Sequence, residues 1–282
     1  MSETWPAGAP YALCLTHDVD RIQKQLYHYL FYGAKHGLRT QLRSFRERLS
    51  GREPYWNFDR IMELEAGLGV RSTFLFLSES ASGFGPEFWG RYEISQEKVK
   101  AVICALDRGG WEIGLHGSLL SYRDLDLLKR EKDVLEDIVG RSVRSTRQHY
   151  LNLDEPGTWQ IQRQIGLEVD STLGFADRPW DCSRGVHPFY TGESGMLELP
   201  ITLMDTIGLT DPGIRRDAER VVERVVRAGG LVVLDWHQRT YSPGEYVDAV
   251  DFYVSAIQEA KTRGAWIATM GAIADYWSSR KD

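Results

Sequence analysis

Short apolar runs recur along the chain, separated by longer segments whose apolar residues fall on one helical face. The runs at 11–17, 71–77, 111–116, 143–148, 167–171, 197–203, 230–236 and 265–269 predict strands. The segments 57–67, 95–108, 123–139, 155–165, 213–228, 245–263 and 271–279 predict helices. Asn57 is placed to cap the first of these, and Gly109-Gly110 and Gly229-Gly230 to end two others. Strand and helix alternate throughout, which calls for parallel strands joined by crossover helices. Seven or eight such units in a single α/β domain suggest a barrel rather than an open sheet. Residues 1–10 read as an N-terminal tail and 11–282 as the barrel.

Barrels of this kind carry their working residues where strands run out into the following loops. Asp18 and Asp20 close the first apolar run, and residues two apart on a strand face the same way. Two carboxylates in one space are unfavourable unless a cation neutralises them or one holds a proton. A bland alternative has Asp20 capping a helix and Asp18 solvated. Further chemistry-bearing residues sit at other predicted strand ends: His116 on the third, Arg147 and His149 on the fourth, Asp170 on the fifth, Asp235 and His237 on a late one. A lone histidine after a strand is more often structural than a ligand, but this set gathers at one rim.

Segment 21–52 breaks the alternation, being far longer than a βα connection needs. It carries a net charge of +7, against −13 for the rest of the chain, and the aromatics Tyr27, Tyr29, Phe31 and Tyr32. It is expected as a basic and aromatic helical insertion at about 21–56, covering the barrel with its aromatics. A second reading is a dock for an anionic surface, either a membrane contacted peripherally or a phosphate-bearing substrate.

With 282 residues, 42% of them hydrophobic, the chain can bury one large core. A net charge of −6 and a pI near 5.7 argue against a nucleic-acid partner. Cys14, Cys104 and Cys182 are too widely spaced for a disulfide framework or a paired zinc site. The opening residues show no signal-peptide pattern, and no apolar run reaches membrane-spanning length, so a cytoplasmic location is expected.

The motifs in this order resemble the polysaccharide deacetylase family, metal-dependent carbohydrate esterases that remove N-acetyl groups from sugars. The resemblance runs from about residue 10 to about residue 275 and implies an α/β fold, a distorted (β/α) barrel with about seven strands in a single domain. It is nearest to cytoplasmic variants with a Thr-His-Asp-Val-Asp strand, some of them associated with surface-polysaccharide synthesis. It implies that Asp18 is the base. Asp20 becomes the metal ligand, because Val19 stands where the commoner form has its ligand aspartate. His116 matches the first histidine of the second motif, but Leu120 occupies the position of the second histidine. Arg147-Gln148-His149-Tyr150 resembles the family's Arg-Pro-Pro-Tyr loop. Arg147 would orient the base, and the Tyr150 N–H would face the oxyanion. His149, in place of a proline, is either the third metal ligand or a residue that contacts sugar or packs on Tyr150. His237 matches the general acid, with Asp170 and Asp235 as alternative partners for its ring. Tyr122, Trp180, His187 and Trp236 are expected to line the sugar site.

The implied cofactor is a divalent metal, zinc first. The implied substrate is an N-acetyl amino sugar of a surface polysaccharide or its precursor, lipid- or nucleotide-linked forms included. Two other readings stay open: a catalytically silent carbohydrate-binding barrel, which would account for Leu120, and a metal-dependent amidohydrolase acting on a non-sugar amide.

Overall fold

The molecule is organised around β1 (Ala12–Val19), all eight residues of which are buried. In the structure, a computed structural model, residues 5–25, 28–29, 38–78, 91–242 and 246–280 are described. Both faces of β1 are covered, which is why its sequence reads as a continuous apolar run rather than a half-polar alternation. Ala12 and Cys14 point inward, where they join Leu75, Val169, Leu197 and Val233. Leu13 and Leu15 point outward, into the larger apolar layer beneath the helices.

The other strands are β2 (Thr73–Leu77), β3 (Glu112–Gly117), β4 (Ser145–Gln148), β5 (Val169–Asp170), β6 (Phe189–Thr191), β7 (Met196–Glu198), β8 (Leu203–Met204), β9 (Leu231–Asp235) and β10 (Trp266–Ala268). Their order is β6-β7-β5-β4-β3-β2-β1-β9-β8, with β10 paired to the start of β1. Every pairing is parallel except β6 with β7. The helices α1 (Leu38–Leu49), α2 (Phe58–Gly67), α3 (Glu97–Arg108), α4 (Leu125–Val139), α5 (Gly157–Gln164), α6 (Pro212–Arg227), α7 (Val247–Thr262) and α8 (Met270–Ser279) alternate with the strands. Local chemistry sets their ends: the Asp124 carboxylate accepts from Leu127 N–H at the start of α4, and Gly140 leaves it at φ 77°.

The deformed barrel has ten strands among the described residues, not about seven. The predicted strand at 197–203 is resolved into β7 and β8, the two ends of one bent extended run. Its start pairs with β5 and its end with β9, and Thr202 N–H donates to Val233 O at 2.9 Å. β6 is a short antiparallel edge piece that no periodicity marks. Asn57 does not cap α2; its Nδ2 donates instead to Pro54 O and Gln238 O. Trp5, inside the expected tail, is fully buried and packs on Trp266 and Trp277 at the strand-start end of the barrel. Of the basic insertion, α1 is described, whereas Tyr27, Phe31, Tyr32 and Lys35 lie outside the described residues.

Candidate active site

Side-chain parity carries the apolar interior up to a charged rim. The inward series Ala12, Cys14 continues on β1 through Thr16 and Asp18 to Asp20 just beyond it, and on β9 through Leu231, Val233 and Asp235 to His237. Arg147, wholly buried on β4, crosses the interior below the rim. Its Nη1 donates to Asp18 Oδ1 at 2.7 Å and to Thr16 Oγ1 at 2.9 Å. Its other nitrogens donate to the backbone oxygen and the hydroxyl of Ser171, at 2.7 and 3.0 Å. Asp235 Oδ1 lies 3.1 Å from the same Nη1, and neither of its oxygens accepts a hydrogen bond.

Above this layer Asp20, His116 and His149, all buried, bring one ligand atom each into a triangle. Asp20 Oδ1 is 3.3 Å from His116 Nε2 and 3.3 Å from His149 Nδ1, and the two nitrogens are 3.0 Å apart. Zinc bonds of about 2.0–2.1 Å in a tetrahedral set hold ligand atoms about 3.3–3.4 Å from one another. Asp20 Oδ1 accepts no hydrogen bond, so the buried oxygen at the apex has an unmet need for a positive partner. The orientation of the His116 ring also agrees: Nδ1 faces Arg147 O at 3.0 Å, which leaves Nε2 for the centre. The residues present fit a divalent cation provided the His149 proton sits on Nε2, which requires the donor-only Arg91 guanidinium to move off that nitrogen.

The third element is His237. Its Nδ1 bonds Asp205 Oδ1 at 2.8 Å, and its backbone N–H donates to Asp205 Oδ2 at 2.7 Å. Its Nε2 faces inward, 3.5 Å from Asp20 Oδ2. Two arginines close the rim: Arg239 Nη1 donates to Asp20 Oδ2 at 2.6 Å, and Arg91 contacts His149 Nε2.

These contacts divide the titrations. Burial opposes charge on Asp18, but Arg147, His116 and His237 outweigh it and hold the carboxyl below its usual range. Asp20 is held well below that range, His149, His237 and Arg239 overcoming burial. Burial also opposes charge on His237, as does Arg239, yet Asp205 and Asp20 prevail and push the ring up to about 9. The two imidazoles of the triangle go opposite ways. Burial drives His149 down to about 3, whereas Asp18 and Asp20 overcome burial at His116 and raise it. Rings 3.0 Å apart cannot both be cationic.

Of the residues expected at the site, Asp18, Asp20, His116, Arg147, His149, Asp235 and His237 converge. Tyr150 follows His149 at the rim, 56% exposed and with φ at 58°. Asp170 does not reach the site. It pairs in register with Thr146, on the outer face of its strand, where Thr172 and Trp159 bond it beside Glu198. Neither Asp170 nor Asp235 is the partner of His237; that role falls to Asp205. Trp236 is one residue out of phase with His237, so its ring turns outward onto Phe252 and its Nε1 donates to Ala249 O. His187 stacks on Trp277 next to Val186, whose carbonyl meets the start of β9, at the end of the barrel away from the rim. Trp180 is buried, stacked on Phe175, with its Nε1 on Gly185 O. Tyr122 is half-buried in the turn after β3, under the Arg123 guanidinium. Leu120 is 60% exposed. Sequence reasoning missed Asp205, Arg91 and Arg239. Of these, Arg239 had a signal, the phase of His237, whereas Asp205 follows a strand of only two residues.

The charged rim sits on a deformed (β/α) barrel, and solved structures share that fold. A protein assigned as a polysaccharide deacetylase from Mycobacterium smegmatis matches with a TM-score of 0.64 and 20% identity, over 99% of this chain and 93% of that one. The PuuE allantoinase matches at 0.63 and 14% identity, over 98% and 92%. A second protein assigned as a polysaccharide deacetylase, from Pseudomonas aeruginosa PAO1, matches at 0.60 and 15% identity, over 97% and 92%. At these identities the likeness establishes the fold. No protein-family model and no curated protein matches the sequence.

Proposed function

We propose that the protein is a metal-dependent hydrolase that removes an N-acetyl group from an amino sugar of a surface polysaccharide or its precursor, working in the cytoplasm. The observation that carries this reading is the triangle of Asp20 Oδ1, His116 Nε2 and His149 Nδ1, with edges of 3.0–3.3 Å, set between a carboxylate–arginine pair and a carboxylate–histidine pair. The fold likeness to two structures assigned as polysaccharide deacetylases supports it.

Asp20, His116 and His149 would hold the cation, with His149 supplying the imidazole that Leu120 cannot. A bound divalent metal, zinc first, lowers the pKa of water and polarises a carbonyl. Asp18, kept ionised by Arg147, takes the proton of the attacking water. The Tyr150 N–H is the candidate donor to the oxyanion. His237, held in place and protonated by Asp205, gives its Nε2 proton to the departing amine. Acetate and a free amino sugar result.

The allantoinase likeness favours one alternative, hydrolysis of a non-sugar amide by the same groups. Acetate release from N-acetylglucosamine oligomers and nucleotide-linked N-acetyl sugars, with zinc-loaded protein, tests the proposal. Release that is abolished by chelator and by Asp20→Asn is expected. Zinc-loaded protein that cleaves non-sugar amides but no N-acetyl sugar would move the assignment to the alternative, and failure to bind any divalent metal would leave a silent carbohydrate-binding barrel.

A further inference from the structure

Six large apolar side chains are exposed among the described residues, and three of them lie on α1: Leu42 at 49%, Phe45 at 40% and Leu49 at 72%. Their spacing of three and four residues puts them on one helical face. A helix that covers a core shows the opposite arrangement. Among the side chains of α1 that are described, the buried one is polar, Ser44, whose hydroxyl accepts from the buried Lys24 Nζ at 3.0 Å. Arg48 holds the same anchor by donating to Lys24 O. Leu42 and Leu49 therefore face outward, as does the part of Phe45 not packed against the Tyr29 ring, with Arg46, Arg48 and Arg52 exposed around them.

Charge says what covers it. Segment 21–52 carries +7 and the remaining chain −13, so basic residues are concentrated in one segment of an acidic protein. Leucine and phenylalanine flanked by arginines on a short helix suit the boundary between acyl chains and anionic headgroups. No helix among the described residues is long and apolar enough to cross a membrane, so the contact lies along the surface. The segment leaves β1 immediately after Asp20, and Gln238, beside His237, donates to Arg21 O. The helix thus stands at the same rim as the catalytic cluster.

We propose that α1 lays its Leu42, Phe45 and Leu49 face on an anionic lipid surface, holding the rim of the barrel against the bilayer. This holds whatever bond the site cleaves. The test is co-sedimentation of the full chain with vesicles of phosphatidylcholine alone and of phosphatidylcholine mixed with phosphatidylglycerol. Binding to the mixed vesicles alone is expected, weakening as salt is raised. Leu42→Ser, Phe45→Ser and Leu49→Ser combined should lower the bound fraction about tenfold, the gain from apolar burial being lost. If the triple variant does not fold, Leu49→Ser alone, at the most exposed position, should show a smaller loss in the same direction. No sedimentation with mixed vesicles at low salt, or binding undiminished in these variants, would overturn the proposal. So would a dimer in solution that the same substitutions dissociate without any vesicle binding, because the stripe would then join two copies of the chain.

Discussion

Asp18 and Asp20 are the same residue type, two positions apart, on one face of one chain segment, and both are buried. Their surroundings separate them. Asp18 Oδ1 receives a charged hydrogen bond at 2.7 Å from an arginine that is itself locked to Ser171 and Thr16. Asp20 Oδ1 receives none and looks at two imidazole nitrogens. Asp18 is thus held ionised by Arg147, whereas Asp20, though Arg239 donates to its Oδ2 at 2.6 Å, keeps Oδ1 open to a cation. Strand parity brings the pair into one space, and the neighbouring strands decide what each does. β4 provides Arg147 to the lower level and, two residues later and in the same phase, His149 to the upper.

The sharpest break of this comparison is to remove each charge in turn. Asp20→Asn should abolish tight metal binding, and activity with it, a loss well beyond the ~10–100-fold typical of outer-shell partners. Asp18→Asn should retain the metal and lose about 10²–10⁴-fold in turnover, the range for a general base. Metal content by plasma mass spectrometry, read beside acetate release, separates the two. Loss of metal in Asp18→Asn would mean that the roles are reversed.

On the acid side, His237→Ala should cost about 10²–10⁴-fold in turnover while leaving metal content intact. The ring must be protonated to act, so activity is present below its pKa and lost as pH rises through it. Asp205 and Asp20 together push that pKa up to about 9. A cation on Asp20 cancels one of these two charges, so the alkaline limb of the loaded enzyme should fall below 9. Asp205→Asn removes the other and should move the limb down by about 1–3 units. An alkaline limb that stays in place in Asp205→Asn would free His237 of the role.

The triangle itself predicts a proton count. His149 is neutral over the working range, its pKa being pushed down to about 3, whereas His116 is raised and must lose a proton to bind metal. Affinity should therefore rise about tenfold per pH unit below the His116 pKa and level off above it. Below that pKa, calorimetry in buffers of different ionisation enthalpy should find up to one proton released per metal, and none above it. His149→Ala should weaken zinc by a large factor, and no effect would point to a ligand other than His149.

Much of this was legible in the sequence, for a reason visible in the molecule. Strands buried on both faces read as apolar runs, and the helices over them as amphipathic segments, so element order followed directly. Phase errors account for most of the misplaced site residues. Asp170 and Trp236 stand at strand ends and carry suitable chemistry, but each is one residue out of step with the inward series. The partner of His237 was hidden by β8, whose two residues leave too little pattern to place Asp205 at a strand end. His187 and Trp180 belong to the loop between β5 and β6, where no period constrains direction.

Asp235 offers the subtlest test, because it shares Arg147 with Asp18 yet has the opposite fate. Burial raises its carboxyl from 3.8 to about 7, Asp18 adds to the rise, and Arg147 only partly offsets them. The sign follows from the two states. Above its unfolded pKa of about 3.9 the unfolded chain ionises this group freely, while the folded chain must hold a proton there or bury a second anion beside Asp18. The cost to folding therefore grows from about pH 4 to about pH 7 and then stays constant. Asp235→Asn, close in shape and uncharged, should be as stable as the parent at low pH and more stable at pH 8, by about 1–3 kcal/mol, as expected when a poorly satisfied buried group is neutralised. Turnover should change little near neutrality, and the acid limb set by Asp18 should shift to lower pH, since Arg147 then serves one carboxylate. Urea unfolding at pH 4 and pH 8 checks the first expectation and a pH–rate profile the second. A variant less stable than the parent at pH 8 would show that Asp235 works as an ionised partner of Arg147, and the two carboxylates would then be alike after all.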